Sequence, residues 1–135
     1  MLPVNTQLSI LIHLANADHN VSIEELKIIR NTGQENGLNT TQIEALIASP
    51  KSVGDLYSLP KEEKLECLID LIKLMKIDKK IYQKEIDFCE RIALKLGYQP
   101  KVIMELSAYI YTSENIHTDR KLLEDIVDKY YIHED

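Results

Sequence analysis

The order of apolar and polar positions along the chain predicts helices throughout. Leu8, Leu11, Ile12 and Ala15 recur at the i, i+3, i+4, i+7 spacing that lines one helix face, predicting a helix over about 6–17. Leu65, Leu68, Ile69 and Ile72 repeat that spacing and predict a second over about 61–77. Leu14, Leu71 and Leu74 widen the two stripes, which makes these helices central in the fold. Each is followed by a short turn and another helix, over about 23–36 and 82–96. Ser22-Ile23-Glu24-Glu25 reads as a capping box, and Gly37 and Gly97 stand where a helix needs a left-handed residue to stop. A third helix opens at Asn39, with Gln42 placed to close a box, and its counterpart opens at Gln99-Pro100 with proline at the first helical position. Pro50, Gly54 and Pro60 mark 48–60 as a linker with at most a single helical turn at 53–58. Val21 and Ile81 would staple the short turns to the core. A last helix over about 119–132 carries Leu122, Leu123, Ile126, Val127 and Tyr130 on one face.

The elements repeat. Sliding the chain by 60 positions lays residues 8–47 on 68–107 without a gap. Leu8, Leu11, Ile12 and Leu14 fall on Leu68, Leu71, Ile72 and Leu74, and Ile43 and Leu46 fall on Ile103 and Leu106. Apolar matches follow from any shared helical period. Asp18 on Asp78, Glu25 on Glu85 and Gly37 on Gly97 do not. The expected architecture is an all-α, pseudo-twofold bundle of about seven helices in a single domain, 1–135. Two three-helix repeats build it, with the C-terminal helix covering the open side. Short connections favour antiparallel hairpins.

Composition narrows the function classes. At 135 residues, 44% hydrophobic and 28% charged, the chain has the balance of a globular domain, and four Gly and four Pro are few for a loop-rich β fold. A net charge of −6 has the wrong sign for a nucleic-acid or anionic-membrane binder. No run approaches the length of a membrane span. Leu8 to Leu14 followed by Ala15-Asn16-Ala17 imitates a signal peptide, but no basic residue precedes it and His13 interrupts it, so the expected location is the cytoplasm. Cys67 and Cys89 fall on apolar positions outside any CxxC pair and read as inert core thiols.

The candidate chemistry is the doubled Asp-x-x-Val/Ile-x-x-x-Glu: Asp18, Val21, Glu25 and Asp78, Ile81, Glu85. Each Asp ends one helix and each Glu lies in the first turn of the next, so a tight turn would hold two carboxylates together. Hard oxygen ligands of this kind suit Ca²⁺ or Mg²⁺. Helix capping is the competing explanation, complete for Glu25 and weaker for Glu85, where Tyr82 replaces the capping hydroxyl. An EF-hand is excluded, because the twelfth position counted from Asp18 is Ile29.

The segments LANADHNVSIEEL and LMKIDKKIYQKEIDFCERIALKLGY resemble the two halves of a TerB-like tellurite-resistance domain. They are also similar to the N-terminal module of membrane-anchored DnaJ-type co-chaperones. The resemblance spans about residues 8 to 110. It implies an all-helical bacterial module linked to stress and metal-oxyanion resistance, with no established enzyme activity, and it implicates Asp18, Glu25, Asp78 and Glu85 in a proposed cation site. The glycine that usually follows Asp is His19 in one turn and Lys79 in the other. Lys79, Lys80 and Lys84 neutralise the second turn, so any cation belongs to the first.

Other features are weaker. His13, Asp18 and His19 lack a recognised ligand spacing, and Glu114-x-x-His117 occurs once where a di-iron bundle needs two. Tyr57, Tyr109, Tyr111, Tyr130 and Tyr131 read as core or helix-face aromatics that could also anchor a partner. The expected function is a non-enzymatic interaction or scaffold module that docks partner proteins through a helical face, reaching a membrane only through a membrane-protein partner. The alternative is a divalent-cation-binding protein using the doubled turns.

Overall fold

The computed structural model describes residues 4–17, 21–52, 55–77, 83–110 and 119–132. Seven helices follow in order: α1 (Val4–Ala15), α2 (Ile23–Glu35), α3 (Thr40–Ala48), α4 (Lys61–Ile77), α5 (Gln83–Leu96), α6 (Val102–Ser107) and α7 (Arg120–Tyr130). The protein is all-α. Among the described residues the extended backbone pairs only at an isolated bridge between Tyr98 and Tyr131.

Local sequence sets the helix ends. Ser22 Oγ accepts from the Glu25 amide at 3.0 Å while the Ser22 amide donates to Glu25 Oε1 at 3.3 Å, closing the expected box on α2. Asn39 and Gln42 do the same for α3, at 2.8 and 2.9 Å. Gly37 and Gly97 take φ of +92° and +101°, the left-handed conformation that a side chain would strain. Each closes a Schellman motif. The Leu38 and Tyr98 amides reach back to the Gly33 and Ala93 carbonyls, and the glycine amides to Gln34 and Leu94.

The apolar stripes meet where the periodicity places them. Leu8, Leu11, Ile12 and Leu14 of α1 and Leu68, Leu71, Ile72 and Leu74 of α4 are all buried. α4 packs against α1, α2, α5, α6 and α7, while α1 packs against α2, α3, α4 and α5. Buried side chains of all seven helices join one hydrophobic cluster, with Leu56 of the linker and Tyr98 of the α5–α6 turn included. Val21 packs against it; Ile81 lies outside the described residues. The linker lies on α1, where the Lys51 amide donates to buried Ser9 Oγ at 3.0 Å.

Two expectations are corrected. Proline does not open α6, which begins two residues later at Val102. The Gln99 amide donates to the Tyr130 carbonyl at 2.9 Å and the Ile132 amide to the Gly97 carbonyl at 2.8 Å, so residues 97–99 are held against the end of α7. Pro100 then occupies a tight turn, closed by Val102 and Ile103 amides on the Gln99 and Pro100 carbonyls. In α7, Leu123, Ile126 and Val127 are buried and Tyr130 packs on the core, but Leu122 is exposed. A helix advances 100° per residue, which carries position 122 off a stripe centred on 123, 126 and 127.

Candidate functional site

Glu25 and Glu85 occupy the same station: the third residue of α2 and of α5, each only 1% exposed. A carboxylate there faces the positive end of its own helix, the place where a capping-box acid sits. For Glu25 the reciprocal bonds with Ser22 show the carboxylate holding the helix start. Asp18, His19, Asp78, Lys79, Lys80 and Tyr82 lie outside the described residues, so the structure places one acid of each expected pair and not the other. Among the described residues, no group of three or more His, Cys, Asp or Glu side chains is arranged to hold a metal. His13 Nε2 lies 3.0 Å from the Lys51 carbonyl, positioned to donate to it and tie the linker down. Glu114 and His117 are outside the described residues. Cys67 and Cys89 are free and buried, and burial pushes both thiols up to about 12, which holds them protonated.

Acids gather instead in a cleft of about 310 Å³ between α1, α2 and α4, where Glu35, Glu63, Glu66 and Asp70 meet Gln7 and Cys67. Asp70 is pushed up to about 6, first by burial and also by Glu66 and Glu35. Gln7 Nε2 donates to its Oδ2 at 2.6 Å and Lys73 lies near; both oppose the shift without cancelling it. Arg120 of α7 pairs with Glu66 at the rim.

A second cavity, of about 430 Å³, is lined by Lys61 and Lys64 from the first turn of α4, Tyr98, and Asp128 and Tyr131 from the end of α7. Lys61 pairs with Asp128 in solvent. Lys64 is different, being only 5% exposed. Its ammonium stands 4.7 Å from the centre of the Tyr57 ring and 5.4 Å from that of Tyr131, within cation–π range. Tyr131 meets Tyr98 edge-on, with centroids 5.7 Å apart. Burial, with Asp128 and Tyr131 nearby, pushes the Tyr98 hydroxyl up to about 12 and keeps it a donor at neutral pH. Sequence reasoning gave Tyr57 and Tyr131 general aromatic roles and passed over Lys64 and Tyr98. The overlooked signal is that Lys64 stands on the apolar stripe of α4, four residues before Leu68, and falls on Val4 at the 60-residue offset.

Comparison with known protein families, with curated proteins and with solved structures gives no match for this chain.

Proposed function

We propose that the chain is a non-enzymatic helical interaction module of TerB-like, stress- or tellurite-resistance type, working in the cytoplasm. Its two halves are related by a pseudo-twofold axis, and the helical surface docks a partner protein. A membrane enters only through such a partner. The observation that carries this reading is the capping box of α2: Glu25, the acid that the resemblance assigns to a cation, is buried and bonded to the Ser22 amide. Its charge is engaged in starting a helix. The correspondence of the halves supports the axis, since Glu25 and Glu85 are each the third residue of their helix, and Leu11 and Leu71, and Ile43 and Ile103, lie on corresponding helices and are alike in burial. Docking is supported by large apolar side chains left outside: Ile23 is 80% exposed and Met104 61%.

No helix among the described residues is long and apolar enough to cross a membrane. Photo-crosslinking from positions 23 and 104 of the full chain in its native cell tests the docking surface. A discrete protein adduct from either position, abolished by Ile23→Lys or Met104→Lys at the other, is expected; crosslinks to lipid or none at all would refute it.

The cation alternative makes the opposite prediction for thermal melting. With the acids acting as caps, Ca²⁺ and Mg²⁺ leave the melting temperature unchanged. Glu25→Gln, which keeps the capping acceptor, costs less than about 1 kcal/mol, and Glu25→Ala costs about 0.5–2 kcal/mol. A cation held at 100 times its Kd would add about 2.7 kcal/mol. Saturable stabilisation that disappears in Asp18→Asn would replace the scaffold reading with the cation one.

A further inference from the structure

The cavity between α4 and α7 is lined by two hydrogen-bond donors from largely buried residues, Lys64 and Tyr98. Lys64 is 5% and Tyr98 1% exposed, both line the space, and among the described residues neither the Lys64 ammonium nor the Tyr98 hydroxyl has a hydrogen-bond or ion-pair partner. The Tyr57 and Tyr131 rings present their negative faces to the Lys64 ammonium, but a ring face is a weaker acceptor than an oxygen. Lys61 does not compete for the role, because Asp128 already neutralises it.

We propose that this cavity binds a small organic carboxylate, with the anionic oxygens on Lys64 Nζ and the Tyr98 hydroxyl and an apolar body against the Tyr98 and Tyr131 rings. Three features select this class. Among the described residues that line the cavity, Lys64 is the one cation without an ion-pair partner, which matches a monoanion. Asp128 at the same mouth opposes a second negative charge, which disfavours a phosphate dianion. The tyrosine walls suit an aromatic or branched apolar body, and about 430 Å³ falls within the range of small-molecule sites. A cation is disfavoured because Lys64 already occupies the ring faces. This inference does not rest on the docking reading above.

The test is a titration of the full chain with phenylacetate, with phenylacetamide and inorganic phosphate as parallel probes. Binding is followed through the lysine Nζ resonances and the melting temperature. Phenylacetate is expected to saturate, raise the melting temperature and move the Lys64 resonance, while the amide and phosphate bind at least about tenfold more weakly. Lys64→Met removes the charge and keeps an unbranched side chain; it should weaken phenylacetate at least about tenfold, as expected for losing a charge-assisted bond. Tyr98→Phe should weaken it about fivefold, the equivalent of one neutral hydrogen bond. If Lys64→Met fails to fold, the wild-type Lys64 shift and Tyr98→Phe decide the matter. The proposal is overturned if phenylacetate does not saturate, if the amide or phosphate binds as well, if folded Lys64→Met retains binding, or if the shifts centre on the acidic cleft.

Discussion

Replacing Leu71 by Ala should lower the folding free energy by about 2–5 kcal/mol. Leu71 is completely buried in α4, the helix that touches α1, α2, α5, α6 and α7. Removing its branched end forfeits the transfer energy of the lost carbons and leaves a space that surrounding helices only partly fill. Fixed neighbours on several sides limit collapse, which places the loss toward the upper part of that range. A domain of this size has about 5–15 kcal/mol in total, so the variant should unfold at markedly lower urea with an unchanged slope. Leu11→Ala, at the corresponding place in α1, should be comparably damaging, because Leu11 is 1% exposed and α1 is the other central helix. A loss below about 1 kcal/mol at either position would show that α1 and α4 do not form a close-packed centre.

Asp70→Asn should have a large effect of the opposite sign. In the folded chain Asp70 keeps its proton up to about 6, whereas an unexposed-to-structure aspartate in the unfolded chain releases it near 3.8. Between those values the folded state binds more protons than the unfolded state, so stability falls as pH rises through the window. Above it both states are ionised and the whole cost of the buried charge remains, up to about 3 kcal/mol. Asn keeps an oxygen for the Gln7 Nε2 donor and removes the charge that burial, Glu66 and Glu35 oppose. The variant is expected to be more stable than wild type at pH 7, with the advantage fading toward pH 4. Urea unfolding of both proteins at pH 4, 5, 6 and 7 measures it. A variant less stable at pH 7 would mean that Lys73 and Gln7 hold Asp70 as a stabilising anion instead.

Much of this fold was legible because helices are local. The stripes of α1 and α4, the box Ser22–Glu25, the box Asn39–Gln42 and the stops at Gly37 and Gly97 each depend on residues within a few positions of one another. The exceptions are equally instructive. Gln99-Pro100 has the composition of a helix start, yet a backbone pairing with Tyr130 and Ile132, some thirty positions away, delays α6 to Val102. Leu122 shares its composition with Leu123, but only the angle at which α7 meets α4 and α6 decides which of them is covered.

By itself, then, the sequence determined the helices, their caps, the two central stripes and the burial of both cysteines, since propensity, capping and periodicity act over one or two turns. Only the tertiary structure decided where charge would be confined. Gln7, Glu35 and Asp70 meet because α1, α2 and α4 pack together, and that packing raises the affinity of Asp70 for its proton. Lys64, Tyr98 and Tyr131 likewise come from the start of α4, the turn after α5 and the end of α7. Periodicity states which face of a helix is apolar. Which faces meet, and which polar groups the meeting strips of water, depends on contacts between residues far apart in the chain.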